Sequence, residues 1–474
     1  MEQKLIGREK EKTLLKECYE SGRAEFVAIY GRRRIGKTFL VKKFFDEKFA
    51  FYSTGIYEGT KSTQLKYFNK MINAYSDGVF YSEPKDWFEA FDQLKSLLSM
   101  KPKDQRQVVF LDELPWMDTQ KSGFVMALDL FWNSWASTRD NLMLIVCGSA
   151  TTWMTSKLVA NKGGLHNRLT RRIHLSPFTL KETEEYLKDM GIAWERPQIT
   201  DCYMTIGGTP YYLSKLRRGR SVAQNIDELF FAEDAELRSE YDFLFRSLFN
   251  DSSLYRSVVE TLCAKANGMT RQEISNSLKL ENGGKLTEVL RNLQSCEFIR
   301  KYFCIGKKER DAIYQMTDLY SLFYNRFVAG ITESDENTWS SMTDNPARQA
   351  WCGYAYEQVC LHHIPQIKKA LGINGVLTNV GAWTGKDEGG SGQIDLVIER
   401  RDDVINLCEI KYSNKEYTIT KDYAQKLIDR MELFRRVTKT KKALHLTMIT
   451  SLGLKHNNNS ECVQSEITLN DLFA

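Results

Sequence analysis

The sequence predicts an α/β protein built on a parallel sheet, and three stretches predict it. Phe26–Tyr30 is an apolar, strand-like run that stops at Gly31, and a glycine loop and an amphipathic segment to Phe45 follow it. Val108–Leu111 is a run of the kind that strands buried on both faces require, and it ends in Asp112-Glu113. Asn141–Cys147 is another, and it ends in Gly148-Ser149. With Arg171–Pro177 as a fifth strand, strands alternate with helical segments. This is the outline of a doubly wound sheet, whose ligands gather at the carboxyl ends of the strands.

In chain order, the first element is a helix from Arg8 to about Ser21, with Leu14, Leu15 and Cys18 at helical spacing. The octet GRRRIGKT, Gly31–Thr38, fits G-x-x-x-x-G-K-[ST] between a strand and a helix, the context in which that pattern is a phosphate-binding loop. Gly31 and Gly36 let the backbone fold around the β- and γ-phosphates, where peptide N–H groups and the helix N-terminus face the anion. Lys37 supplies a point charge, and the Thr38 hydroxyl can ligate Mg²⁺. The candidate nucleotide-binding residues are therefore Gly31, Arg32, Arg33, Arg34, Ile35, Gly36, Lys37, Thr38 and Phe39.

A second strand is expected over Phe49–Ser53 and a core-facing helix over Lys85–Met100, with Trp87, Phe91, Leu94 and Leu98 on one face. At the end of the next strand Asp112 is assigned to the metal and Glu113 to the attacking water. Ser149 stands where a side chain could sense the γ-phosphate; a plain Gly-Ser turn is the alternative.

Composition narrows the class. At 474 residues the chain has room for roughly three domains of ~150 residues. No apolar run approaches the ~18–20 residues that cross a bilayer, and MEQKLIGREKEK carries no apolar signal region, so a cytoplasmic protein without a membrane partner is expected. The ten cysteines form no C-x-x-C pair and read as reduced core residues. The six histidines show no ligand spacing, and His362-His363 reads as helix surface. A net charge of +5 permits nucleic-acid binding without arguing for it.

Over residues 250–330 the pattern changes. A helix near Leu254–Ala266, a capping-box start at Thr270-Arg-Gln-Glu273, a helix from Lys285 to Ser295 and a hairpin of Phe298–Cys304 with Ala312–Met316 outline a winged helix. Its second helix would expose Lys285, Thr287, Glu288 and Arg291, and its wing would carry Lys307, Lys308 and Arg310. Such a module binds DNA or docks protein. Residues 331–346 are polar and read as a connection between domains.

The last informative stretch is Gly392–Lys411. Two strand-like runs flank a turn at Arg401-Asp402-Asp403, and a turn centred on Asp402 places Asp395 across from Glu409. Strand alternation then puts Glu409 and Lys411 on that face, with Ile394, Leu396, Cys408 and Ile410 on the other. Glu357, in a helix from Arg348 to about Ile364, could add a third carboxylate. Two or three carboxylates and a lysine suit a Mg²⁺-dependent phosphodiesterase, although a charged solvent-facing hairpin has the same spacing. The basic segment Lys421–Val437 would pack on the sheet through Leu427, Met431 and Phe434.

The G-R-R-R-x-G-K-T loop, the L-D-E-x-P-W segment, the Gly148-Ser149 strand end, Asn167-Arg168 before Arg171-Arg172, and Gly207-Gly208-Thr-Pro-Tyr-Tyr-Leu213 occur in that order. Together they resemble the AAA-type ATPases of archaea and bacteria that end in a PD-(D/E)xK nuclease-like domain, in which the hairpin acids and lysine form the metal centre. Here Asp395 follows Ile in place of Pro. The resemblance implies a P-loop ATPase core over 1–177, a helical lid over 178–249, a winged helix over 250–330, the connection 331–346 and a restriction-endonuclease-like α/β domain over 347–474. It implies ATP and Mg²⁺ as cofactors, with Thr38, Asp112, Glu357, Asp395 and Glu409 as metal ligands. Lys37, Glu113, Asp395, Glu409 and Lys411 would be the catalytic groups, with Arg168 and Arg171 as candidates for an arginine finger in cis or from a neighbouring subunit. The partner is a nucleic acid, DNA ahead of RNA, with a homo-oligomer or protein partner open. Two further readings stay open: an ATP-controlled switch without nuclease activity, and a DNA-binding regulator that needs no metal centre.

Overall fold

Five parallel strands form the first sheet, in the order β2-β3-β4-β1-β5. They are β1 Glu25–Tyr30, β2 Phe51–Thr54, β3 Gln107–Asp112, β4 Leu142–Gly148 and β5 Arg171–His174. β3 and β4 are buried at every position, as strands covered on both faces must be. Alternation along the strands sends Phe26, Ala28, Val109, Leu111, Leu144 and Val146 to a core with helices Lys61–Ala74, Trp87–Met100 and Phe124–Ser134. Val27, Ile29, Phe110, Ile145 and Cys147 turn to the opposite core with helices Glu9–Glu20 and Lys37–Phe44. The helix expected from Lys85 starts at Trp87 because Asp86 caps it, its side chain accepting the Glu89 N–H at 3.0 Å.

The computed structural model describes residues 4–149, 153–159, 167–249, 251–280, 283–305, 311–331, 337–388 and 390–474. They divide into two compact units, Met1–Pro177 with Leu248–Asn250, and Phe178–Ser247 with Asp251–Ala474. Among the described residues no helix is long and apolar enough to cross a membrane.

The second unit opens with the helices Leu180–Asp189, Arg196–Ile206, Pro210–Leu213, Val222–Ile226 and Glu236–Leu248. Gly208 is required by close approach, since a Cβ there would lie 1.9 Å from the Phe178 carbonyl oxygen. Next come the helix Ser252–Cys263, β6 Met269–Thr270, the helices Arg271–Ser277 and Gly284–Ser295, β7 Ile299–Tyr302 and β8 Ile313–Met316. The three strands pair antiparallel in the order β6-β8-β7. On helix Gly284–Ser295, Leu286, Val289, Leu290 and Leu293 are buried while Lys285, Thr287, Glu288 and Arg291 are exposed. Lys307, Lys308 and Arg310 lie outside the described residues.

Residues 331–346 are not the free connection their polarity suggests. Residues 332–336 lie outside the described residues, but Thr338–Ser341 is a packed helical turn. The buried Asp227 carboxylate accepts the N–H groups of Trp339 (2.6 Å) and Ser340 (3.1 Å) and the Ser340 hydroxyl, capping that turn from a distant helix. Trp339 is buried against Phe323 and Phe327. A polar segment is thus anchored by one apolar side chain and one carboxylate.

The chain ends in helices Pro346–His362 and Ile364–Ala370 and a second five-stranded sheet, ordered β15-β13-β11-β10-β9. β9 Thr378–Asp387, β10 Gly390–Arg400 and β11 Val404–Lys411 form an antiparallel meander; β13 Ala443–Thr450 and β15 Ser465–Thr468 continue parallel to β11. Two short strands, β12 Tyr417–Thr418 and β14 Leu454–Lys455, pair beside it. Helix Lys421–Thr438 connects β11 to β13 and packs Leu433 and Phe434 on Val397, Ile405 and Leu407.

Candidate functional site

The loop after β1 is shaped by residues that sequence spacing singles out. A Cβ at Gly31 would lie 2.2 Å from the Leu175 carbonyl oxygen, so only glycine lets the strand end approach there. Gly36 adopts φ +85°, a left-handed conformation glycine takes without steric cost, and the helix of Lys37 begins directly after it. Lys37 is 5% exposed, and its ammonium donates to the carbonyls of Gly31 (3.1 Å) and Arg32 (2.7 Å), which holds it at the loop. The Thr38 hydroxyl donates to Asp112 Oδ2 at 2.8 Å, joining the loop after β1 to the end of β3.

Asp112 Oδ1 accepts the Glu113 N–H at 2.9 Å. Glu113 itself sits at φ 46°, an uncommon conformation for a side-chain-bearing residue, at the start of the turn Leu114–Met117. Its Oε2 accepts the Ser149 hydroxyl (2.9 Å) and N–H (3.3 Å). Ser149 therefore holds the acid that sequence placed beside the attacking water. Burial pushes the Glu113 carboxyl upward; Lys37 opposes this and Asp112 adds to it. The donor set fits a nucleoside triphosphate with Mg²⁺: a glycine-framed loop, an ammonium at the loop, and a hydroxyl–carboxylate pair close enough to share one cation.

The arginine candidates fall elsewhere. Arg171 aligns with Val27, three positions before the carboxyl end of its strand pairing at His174–Tyr30, and it pairs with Glu17 at 3.4 Å. Through that ion pair it stands against the first helix, Glu9–Glu20. Arg168 is exposed in the turn before β5.

In the second unit the hairpin register follows the spacing: Leu396 pairs with Cys408 and Glu399 with Ile405, which puts Asp395 beside Glu409. The facing does not follow. A β-bulge between Ile394 and Val397 breaks strict alternation, and Ile394 lies with Glu409, Leu427 and Arg430. Asp395 instead lines a cavity of about 160 Å³ with Glu357, Arg300 and Tyr302.

Glu409 is 4% exposed and fully engaged. Oε1 accepts from the Lys411 ammonium at 2.8 Å and from the Tyr423 hydroxyl, and Oε2 from Arg430. Burial pushes its carboxyl up, but Lys411 and Arg430 outweigh that and bring it below the usual range. Burial and then the Glu409 charge push Asp395 up. Burial, with the Asp395 charge, pushes Glu357 up to about 7 against the pull of Arg300. The Glu409 charge acts on both Asp395 and Glu357, yet among the described residues no three carboxylate, histidine or cysteine groups are placed to hold one metal ion. The structure does not assemble the triplet of Glu357, Asp395 and Glu409 as a closed metal site.

Sequence reasoning passed over Tyr423, Arg430 and Arg300. The first two stand seven residues apart on helix Lys421–Thr438, a same-face spacing that was available as a signal. Arg300 had none, because its neighbours come from a distant part of the chain.

His363 is a further correction. It is 1% exposed, not helix surface: Nε2 accepts the Leu180 N–H at 3.0 Å, and Nδ1 lies 2.7 Å from the Val359 carbonyl. Burial pulls its pKa from 6.5 down to about 4. The fold holds the ring neutral while the unfolded chain takes up a proton below 6.5. The stabilisation is therefore complete above pH 6.5 and is lost as pH falls toward 4, an effect of about 3 kcal/mol. Glu357 has the opposite sign, its penalty growing as pH rises from 4.5 to about 7. Urea unfolding of wild type and His363→Gln at pH 7 and pH 4 cancels that second contribution, and the wild type should lose about 3 kcal/mol more. Equal losses would show that His363 is not held neutral.

Residues 5–216 match a family described as an ATPase domain found predominantly in Archaea, and residues 324–425 match one described as archaeal and bacterial proteins of unknown function. An uncharacterised protein of Methanocaldococcus jannaschii is 25% identical over 427 residues, 88% of this chain and 90% of the relative. Among solved structures, the Walker-type ATPase of Pyrococcus abyssi aligns with a TM-score of 0.49 at 17% identity, covering 68% of this chain and 96% of that one. The ORC2 protein of Aeropyrum pernix aligns with a TM-score of 0.41 at 15% identity, covering 68% and 94%. Residues 5–216 are thus similar to that ATPase domain family, and residues 324–425 to a second family of archaeal and bacterial proteins.

Proposed function

We propose that this protein binds and hydrolyses ATP and couples the cycle to engagement of a nucleic acid. The hydrogen bond between Thr38 and Asp112 carries the reading, because it brings the loop lysine, the hydroxyl and the strand-end carboxylate into one place. Mg²⁺, when bound, would offset the charge that develops on the phosphate oxygens. Thr38 and Asp112 would hold it, Lys37 would neutralise the β/γ oxygens, and Glu113, held by Ser149, would orient the attacking water. Arg168 is the candidate for a finger acting on a neighbouring copy.

The nucleic-acid half of the reading is supported by the order helix, strand, helix, helix, hairpin over 252–316 and by the exposed Lys285 and Arg291. Lys285 pairs with Asp251 at 2.8 Å, but both side chains are exposed and such a pair exchanges readily for phosphate. Duplex DNA affinity should fall with salt at a slope of about −0.9 per neutralised phosphate. Replacing Lys285, Arg291, Lys307 and Lys308 by alanine should flatten that slope. An unchanged slope would move binding elsewhere and favour a protein-docking module.

A second reading, a metal-dependent phosphodiesterase, is favoured by the order helix, three antiparallel strands, helix, parallel strand over 346–450, with Asp395, Glu409 and Lys411 on β10 and β11. The full engagement of Glu409 by Lys411, Arg430 and Tyr423 supports the competing switch reading equally, since that acid is already charge-balanced.

A further inference from the structure

The chain leaving β7 meets β9, the edge of its sheet: Cys304 forms a parallel bridge with Ala382, and the Ile305 N–H donates to the Ala382 carbonyl at 3.0 Å. Residues of β7, β8, β9, β10 and helix Pro346–His362 thereby surround one cavity of about 160 Å³, far more than the ~10–15 Å³ that a single water needs. It is partly open to solvent. Leu361, Ile364 and Val380 give it apolar walls, while Arg300, Glu357 and Asp395 bring charge.

Opposite charges in so small a space ordinarily close into an ion pair, because a desolvated charge without a partner is costly. Here they stand apart. Arg300 donates through Nε and Nη2 to Gln315 Oε1, the first at 2.9 Å, and forms no ion pair among the described residues. Gln315 is pinned in turn by donating to the Ala266 carbonyl, which fixes the guanidinium at its own wall. At the other wall Asp395 Oδ1 accepts the Gln393 amide at 3.2 Å, and the Glu357 carboxylate accepts no hydrogen bond from a described residue.

A ligand that fits between these walls turns acceptors toward the guanidinium and N–H donors toward the carboxylate. A zwitterion does so only by bringing an anion of its own beside two acids. An uncharged ring brings none, and the apolar side chains with the Tyr302 ring offer surfaces for its faces. Guanine carries both edges: O6 and N7 accept from an arginine, and the N1 and N2 hydrogens lie side by side for one carboxylate. In a base pair those hydrogens are already engaged, so the guanine must be unpaired and out of the stack.

Resting on the reading that this protein engages a nucleic acid, we propose that the cavity is a base pocket: it takes an unpaired guanine, with Glu357 on the N1 and N2 hydrogens and Arg300 on O6 and N7.

The test uses the full chain with ADP in excess to fill the phosphate loop, guanosine and inosine as probes, and calorimetry as the readout. Wild type should bind guanosine roughly 5- to 100-fold more tightly than inosine, which lacks the N2 amino group, the discrimination that one bidentate pair supplies. Glu357→Gln should erase that difference, whereas a merely structural loss would weaken both nucleosides alike. Arg300→Met should weaken both equally, since both keep O6 and N7, while β10 keeps its hydrogen-exchange protection. A single-stranded thymine oligonucleotide carrying one guanine should bind more tightly than the all-thymine strand, and Glu357→Gln should remove that gain. Equal affinity of wild type for guanosine and inosine would overturn the pocket, even where the oligonucleotides bind and the nucleic-acid reading stands. A guanosine preference with no gain from guanine in the strand would overturn the nucleic acid as its source and leave a free nucleoside in its place.

Discussion

Glu113→Gln should keep ATP bound while turnover falls by roughly 10²–10⁴-fold, the range that a positioned acid–base group supplies. The amide retains the size and the hydrogen bond to Ser149 but cannot accept a proton or orient water as a carboxylate does. Lys37→Ala should fail one step earlier. Its ammonium is already held at the loop by the carbonyls of Gly31 and Arg32, so the alanine variant loses a preplaced charge and nucleotide binding goes with it. Fluorescent-nucleotide titration and phosphate release on the two variants separate these outcomes. Wild-type turnover in Glu113→Gln would remove Glu113 from the chemistry.

Asp395→Ala should abolish Mn²⁺-dependent cleavage together with Asp395-dependent metal binding, because it removes the cavity carboxylate adjacent to Glu409 in the hairpin register. Lys411→Ala should keep the metal and lose roughly 10²–10³ in rate, the usual loss when one charge-stabilising donor is deleted. Glu409 remains held by Arg430 and Tyr423 in that variant, so its position survives the loss of the lysine. The measurement is cleavage of single- and double-stranded DNA and RNA with Mn²⁺. Cleavage that persists in Asp395→Ala comes from elsewhere. Metal binding without cleavage of any substrate moves the function to the ATP-controlled switch.

The phosphate loop was legible in the sequence because its chemistry is local. Eight contiguous residues supply the glycines, the ammonium and the hydroxyl, and the buried runs of β3 and β4 announce where their polar ends must lie. The hairpin register was legible for a similar reason: a turn and a two-residue period fix which positions stand opposite. These features were determined by the sequence itself.

Other features were decided only by tertiary structure. Periodicity tells which face of its own element a residue occupies, and it does not tell what covers that face. Beside the bulge between Ile394 and Val397, Asp395 lines a cavity with Glu357, a placement no alternation pattern carries. Thr338–Ser341 is polar in composition, and only the Asp227 carboxylate and the pocket for Trp339 make it part of a core. His363 is buried because Leu180, 183 positions earlier, offers it an N–H. Arg300 faces Glu357 because the β7 hairpin found a free sheet edge, and strand edges pair by shape and hydrogen bonding wherever the fold brings them together.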